Sequence, residues 1–67
     1  MKNNLAHYRK LRGLTQDKLA QKANVSRPYI SEIETNPEKI VTNMMMVKLA
    51  TALDISVSDI FFADAVV

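Results

Sequence analysis

One short pattern recurs four times along this chain of 67 residues and restricts its fold more than any other feature. In each copy an apolar residue precedes a serine or threonine, and a second apolar residue follows four positions after the hydroxyl. The hydroxyl-bearing residues are Thr15, Ser26, Thr42 and Ser56. Such a hydroxyl can accept a hydrogen bond from a free backbone N–H at a helix start, while the two apolar side chains close a hydrophobic staple. The pattern therefore predicts four helix starts.

Residues that commonly end helices stand where these starts require them. Gly13 and Asn24 precede the first two starts, and both residue types accept the left-handed conformation that terminates a helix. Pro37 disfavours helical conformation at Asn36. Together with helical spacing of the apolar residues, these signals predict a single all-α domain over residues 1–67. The predicted helices cover about residues 4–12, 16–23, 27–35, 43–53 and 57–62, followed by a short tail at 63–67.

The composition argues against catalysis. The chain has no cysteine and one histidine, His7, so it offers neither a thiolate metal site nor a second imidazole. Its single glycine, Gly13, cannot form a phosphate-cradling loop. We therefore expect no enzyme activity, no metal and no cofactor.

A membrane location is not indicated either. No apolar run approaches the roughly 18–20 residues that span a bilayer. The segment that begins Met1-Lys2-Asn3-Asn4 leads into no apolar signal-peptide region. We expect a cytoplasmic protein.

The charges are distributed unevenly along the chain. Residues 1–27 carry seven basic side chains and one acidic side chain, a net charge of +6, whereas residues 28–67 carry two basic and six acidic ones, a net charge of −4. A basic half suggests a polyanionic partner. An unevenly charged, solvated surface would have the same composition, so charge alone does not decide between the two interpretations.

The second and third predicted helices are joined by a very short connection, Asn24-Val25-Ser26. Ala20, in the second helix, would allow another helix to approach closely. This combination is typical of a helix-turn-helix.

At these positions the chain resembles the Cro/CI-type (Xre-like) helix-turn-helix regulators of bacteria and phages, over about residues 4–62. The matching residues are Arg9, Leu14, Thr15, Gln16, Leu19, Ala20, Val25, Ser26, Ile30, Glu34, Leu49, Ala50, Leu53, Ile60 and Phe61. The chain departs from the family pattern at Asn24, Pro28, Val41 and Asn43. The resemblance implies a five-helix, lambda-repressor-like DNA-binding domain, with the helix-turn-helix formed by helices 2 and 3.

The third helix has two distinct faces. At about 100° per residue, Ile30, Ile33 and Glu34 point inward together. A carboxylate turned toward a core is costly without a partner. The resemblance places an arginine–glutamate pair here, so we predict a structural ion pair between Arg9 and Glu34 rather than a DNA contact.

The outward residues of the third helix are candidates for reading base edges in the major groove. Arg27 can bond O6 and N7 of guanine, with a phosphate contact as its alternative role. Pro28 offers apolar contact to a thymine methyl group, and Ser31 flanks the same face. Glu32 can accept a hydrogen bond from cytosine N4, or it repels phosphates, or it is simply solvated.

Phosphate contacts are expected around helix starts, where free N–H groups favour anions. Position and resemblance together nominate Thr15, Gln16, Tyr29, Asn36, Lys39 and Asn43. Thr15 is also explained as a helix cap, and Lys39 as an exposed loop charge.

The chain has more apolar residues than one inward helix face requires, which suggests self-association. Proteins of this type also pair two recognition helices on the same face of the duplex. The candidates for a dimer interface are Met44, Met45, Val47, Phe62, Val66 and Val67. Ordinary core packing is the alternative for these residues, most strongly for Phe62.

The predicted function is sequence-specific binding of double-stranded DNA by a homodimeric repressor with a palindromic operator. The competing prediction is a protein-interaction module, such as an antitoxin that also regulates its own operator.

Overall fold

The computed structural model of the chain describes residues 3–63. Its elements are α1 at Leu5–Leu11, α2 at Gln16–Ala23, α3 at Arg27–Thr35, α4 at Asn43–Leu53 and a π-helix at Ser58–Phe62. Between residues 3 and 63 there is no strand, and the predicted all-α fold is confirmed. α2, α3 and α4 begin and end at the predicted residues, whereas α1 is one residue shorter than predicted at each end.

The four hydroxyl groups of the recurring pattern form the hydrogen bonds that it predicts. At each site the hydroxyl oxygen accepts a hydrogen bond from the backbone N–H three residues later. The bonds run from Lys18 to Thr15 at 3.1 Å, from Tyr29 to Ser26 at 3.2 Å, from Met45 to Thr42 at 3.3 Å and from Asp59 to Ser56 at 3.1 Å. Local sequence chemistry thus determines where these helical segments begin.

Three residues take left-handed backbone conformations after helices, and two of them were predicted. Gly13 has φ 72° and Asn24 has φ 57°, as expected from their residue types, but Asp54 also has φ 55°. The guanidinium of Arg12 supports this unforeseen turn, because Nε donates to the carbonyl oxygen of Leu53 at 2.8 Å and Nη2 to that of Asp54 at 3.2 Å. A cation at the carboxyl end of α4 satisfies free carbonyl groups and complements the helix dipole.

The fifth element is a π-helix at Ser58–Phe62, not the α-helix over residues 57–62 that the sequence predicts. Two carbonyl groups of this segment are taken by Asn4 instead of by a further helical turn. The backbone N–H of Asn4 donates to Ile60 at 2.7 Å, and its side-chain amide donates to Asp59 at 3.1 Å. Asn4 is buried, with 3% of its surface exposed, so these bonds form a closed seam between the start of α1 and the π-helix.

The core lies where all five elements meet. Its largest fully buried side chains are Leu5, Leu19, Ile30, Ile33, Leu49, Leu53 and Ile60. α2 packs against α3 and α4, while α1 packs against α3 and the π-helix. This arrangement encloses one face of α3 and leaves the opposite face uncovered.

Candidate nucleic-acid interface

The turn between α2 and α3 orients the two helices relative to one another. Asn24 takes the left-handed conformation there, and the backbone N–H of Val25 donates to the carbonyl of Ala20 at 3.0 Å. Ala20 and Ala23 are both buried, and their small side chains allow close approach at these two positions of α2. α2, the turn and α3 have the connectivity and close approach of a helix-turn-helix.

The two faces of α3 are separated as the helical spacing predicts. Ile30 and Ile33 are buried in the core. Three of the four predicted base-reading residues, Arg27, Pro28 and Glu32, are exposed. The fourth, Ser31, is half-buried at the edge of the same face. α3 therefore presents a short polar surface that begins at its first residue.

Arg9 and Glu34 lie in direct contact between α1 and α3. Nε of Arg9 donates to Oε2 of Glu34 at 2.6 Å and Nη2 donates to Oε1 at 3.1 Å, which is the bidentate arrangement of a strong arginine–carboxylate pair. The two side chains are 11% and 6% exposed. With its carboxylate engaged inside the fold, Glu34 is not placed to meet DNA.

Two further hydrogen bonds extend this pair to the start of α2. Nη1 of Arg9 donates to the carbonyl of Leu14 at 2.7 Å, and the side-chain amide of Gln16 donates to Oε1 of Glu34 at 3.0 Å. The sequence nominates Gln16 for a phosphate contact and gives no sign of this bond, which joins residues 18 apart in the chain. One of the two N–H groups of this amide is therefore engaged inside the fold, which leaves for an anion the second one and the backbone N–H in the first turn of α2.

Arg27 makes an ion pair that its sequence pattern does not predict. Its Nε lies 3.3 Å from Oδ1 of Asp17, with 61% of the Arg27 side chain and 69% of the Asp17 side chain exposed. Asp17 is the one acidic residue among the first 27, and this isolation within a basic segment is the signal that could have drawn attention to it. The pair connects the first turn of α2 to the first residue of α3.

A second group of side chains lies around Lys39, in the loop after α3, with Lys39 and Tyr29 half-buried and Glu32 exposed. Its Nζ lies 3.4 Å from Oε2 of Glu32 and 4.9 Å from the ring centroid of Tyr29. The structure thus brings together one predicted base-reading residue and two predicted phosphate contacts. Exposed ion pairs contribute little to stability, about 0–1 kcal/mol each, so Lys39 can exchange Glu32 for another anion at small cost.

The remaining phosphate candidates are exposed residues near element ends. Thr15 is the cap of α2, with its hydroxyl engaged by Lys18. Asn36 follows α3, and its side-chain oxygen accepts a hydrogen bond from the backbone N–H of Glu38 at 3.0 Å. Asn43 is the first residue of α4. These three positions lie at the start of α2, the end of α3 and the start of α4.

The candidate dimer residues divide into exposed and partly buried groups. Met44, Val47 and Phe62 are 68%, 54% and 64% exposed, so the alternative assignment of Phe62 to the core is wrong. The reason is that Phe61, and not Phe62, turns inward from the π-helix. Met45 is half-buried against the core, which leaves little of it for a partner. Val66 and Val67 lie outside the described residues.

Neither a metal-ligand cluster nor a membrane-spanning helix is found between residues 3 and 63. That part of the chain contains no group of three or more His, Cys, Asp or Glu side chains that could hold a metal ion. None of its helices combines the length and apolar character needed to cross a membrane.

Comparison with known proteins gives matches over most of the chain. A helix-turn-helix family model matches residues 5–60. The HTH-type transcriptional regulators SinR of Bacillus subtilis (strain 168) and of Bacillus licheniformis are each 36% identical over 53 residues, which is 79% of this chain and 48% of the relative. The chain therefore spans about half the length of these curated relatives.

Solved structures show the same similarity. The restriction-modification controller protein C.AhdI from Aeromonas hydrophila superimposes with a TM-score of 0.77 at 34% identity, over 84% of this chain and 83% of that one. The SinR protein/SinI protein complex contains a chain with a TM-score of 0.77 and 34% identity, over 82% of this chain and 53% of that one.

Proposed function

This chain belongs to the helix-turn-helix family of Cro/CI-type regulators, and we propose that it binds double-stranded DNA in a sequence-specific manner and regulates transcription. The observation that carries the proposal is the division of α3. Its inner face is anchored by Ile30, Ile33 and the bond from Arg9 to Glu34, while Arg27 and Glu32 remain exposed. A rigid helix with a free polar face suits the major groove.

In this proposal the exposed face of α3 reads bases and the surrounding helix ends hold phosphates. Arg27 has the donor geometry for guanine, Pro28 and Ser31 contribute contacts to neighbouring bases, and Glu32 accepts from cytosine. The phosphate contacts come from Thr15, Gln16, Tyr29, Asn36, Lys39 and Asn43. Such contacts fix the register of the protein on the duplex without specifying its sequence. We place this activity in the cytoplasm, as that of a regulator and not of an enzyme.

We further propose a homodimer that represses from a palindromic operator. Met44, Val47 and Phe62 supply exposed apolar surface on α4 and the π-helix. The grooves beside α4 carry opposite charges, with Lys22 and Lys48 along the one toward α2 and Asp54 in the other. A two-fold interface is self-complementary, so a basic groove of one copy can face an acidic groove of the other.

Selection of bound duplexes from a randomised DNA library, at two salt concentrations, tests this function. We expect the wild-type protein to enrich a palindrome and to bind less tightly at the higher salt concentration, because phosphate contacts release counterions. Arg27→Ala should relax the preference at one base pair in each half-site, by about 1–3 kcal/mol of discrimination.

Arg27→Lys is the matched variant, since lysine keeps the charge but lacks the guanidinium fork. If Arg27 reads a base, the lysine variant retains the salt dependence and loses the base preference. If Arg27 contacts only phosphate, the lysine variant selects the same sequence as the wild type. Failure of a folded wild-type protein to enrich any sequence would contradict the proposed function.

A protein-binding role is the second candidate, and two observations favour it. A similar chain was solved in a complex with another protein, SinI. The exposed residues Met44 and Val47 offer an apolar helix face that a protein partner such as a toxin could cover. In that case the folded wild type enriches no duplex, and a charged residue at position 47 abolishes partner capture.

A further inference from the structure

We propose that Asp17 is a positioning residue that aims the guanidinium of Arg27 at its base pair and so determines specificity. The inference rests on the DNA-reading function proposed above. Asp17 lies in the first turn of α2 and Arg27 is the first residue of α3. The ion pair between them, 3.3 Å from Oδ1 to Nε, therefore crosses the helix-turn-helix and couples the helix that precedes the turn to the helix that reads DNA.

The atoms that form the pair leave the rest of the guanidinium available. The shortest distance to Asp17 is the 3.3 Å from Nε, an ion pair without hydrogen-bond geometry, and in residues 3–63 no hydrogen bond engages the guanidinium of Arg27. Recognition of guanine needs two parallel N–H donors directed at O6 and N7. A carboxylate that lies nearest to Nε leaves the terminal pair of donors for this task.

The exposure of Arg27 gives its ion pair with Asp17 a role in ordering the side chain. Without Asp17, the long side chain of Arg27 would sample many rotamers. It is 61% exposed, and no other side chain in residues 3–63 pairs with it. Ordering those rotamers on binding opposes complex formation. A partner that restricts them beforehand favours one orientation, and with it one base.

The location of Asp17 indicates that this residue does more than stabilise the start of α2. An acidic residue in the first turn of α2 interacts favourably with the helix dipole. However, this helix start is also where the proposed phosphate contacts of Thr15 and Gln16 lie, and a carboxylate repels phosphate. Asp17 is also the one acid in a segment with seven basic residues. A side chain that weakens general affinity but orders Arg27 improves discrimination between sequences.

The decisive variant is Asp17→Asn, which removes the charge and preserves the size of the side chain. Affinity is measured for the selected palindrome, for the same duplex with the Arg27-read base pair replaced, and for unrelated duplex. We expect discrimination at that base pair to fall by about two- to fivefold, in line with the modest strength of an exposed ion pair. Affinity for unrelated duplex should not fall, because a negative charge has been removed.

Two controls separate positioning from simple charge. Glu38→Gln removes one negative charge from the exposed loop after α3, where no ion pair is made to Arg27, and should leave the discrimination unchanged. In the Arg27→Ala background, Asp17→Asn should have no further effect on discrimination, because the group that it positions is gone. Thermal denaturation establishes that each variant is folded at the assay temperature.

The outcomes distinguish this inference from the proposed function. If Asp17→Asn changes affinity for all three duplexes by the same factor, Asp17 acts only as a charge and the inference is overturned, while sequence reading stands. The same conclusion follows if its effect persists without Arg27. If the wild type shows no preference among the three duplexes, the proposed function fails, and the inference fails with it.

Discussion

Glu34 illustrates, at the scale of single residues, how a helix can be fixed on one side and free on the other. Its carboxylate is 6% exposed and accepts hydrogen bonds from Arg9 and Gln16. Within residues 3–63 the hydrogen bonds to this carboxylate come from α1 and from the start of α2. This carboxylate therefore fixes the orientation of α3 about its own axis together with the buried Ile30 and Ile33.

Replacing Arg9 by alanine should destabilise the whole domain. The variant leaves Glu34 buried with the amide of Gln16 as its remaining side-chain donor. Removing one partner of a buried ion pair costs roughly 3–5 kcal/mol. For a domain of this size we expect the melting temperature to fall by roughly 12 °C or more, measured by circular dichroism.

Lys10→Ala is the matched control, because Lys10 is the adjacent basic residue of α1 and is exposed. Its effect should stay within about 0.5 kcal/mol. A melting temperature unaffected by Arg9→Ala would show that the pair does not hold α3 in place.

At the scale of elements, the helix starts depend on single hydroxyl groups. Thr42 Oγ1 accepts from the backbone N–H of Met45 at the start of α4. Thr42→Ala should lower the free energy of unfolding by about 1 kcal/mol. Thr42→Ser keeps the capping hydroxyl and should lower that free energy much less. Denaturant titration measures the difference.

Thr51→Ala serves as the comparison within the same helix. Thr51 is exposed in the interior of α4, where alanine has the higher helix propensity, so that variant should be neutral or slightly stabilising. Equal losses at positions 42 and 51 would contradict the capping role.

The sequence predicted the elements well because the relevant signals are local. A cap, a staple and a left-handed terminator all lie within a few residues of the boundary that they define, as at Ser26 and Gly13. The π-helix was missed because its form depends on Asn4, 55 residues from Asp59 in the chain. The turn at Asp54 was missed for a similar reason, since Arg12 supports it from 42 residues away.

The candidate site was predicted in part for the same physical reason. Helical spacing is enough to place Arg27 and Glu32 on the exposed face of α3. It gives no information on which side chains meet across space, so the contacts of Gln16 with Glu34 and of Arg27 with Asp17 had to come from the structure.

At the scale of the whole molecule, the proposed dimer should depend on the outer face of α4. Val47 is 54% exposed, so a glutamate there is tolerated by a monomer but would place a charge in an apolar interface. We expect Val47→Glu to abolish self-association in analytical ultracentrifugation and to weaken binding to the palindrome while binding to an isolated half-site is retained.

Leu11→Glu tests whether any exposed apolar position would give the same result. Leu11 is 64% exposed at the end of α1, away from α4 in sequence, and the variant should remain dimeric. A Val47→Glu protein that still sediments as a dimer would rule out this face as the interface.

The seam between Asn4 and the π-helix has a consequence for the order in which the chain folds. The turn from α2 to α3 joins neighbouring segments, and such local contacts form quickly. The bond from Asn4 to Asp59 closes a loop of 55 residues. The entropic cost of closing this loop is offset by contacts that form only when α1 and the segment after α4 are both in place. We therefore expect this loop to close late in folding and to open early in unfolding, which native-state hydrogen exchange at the Asn4 amide would test.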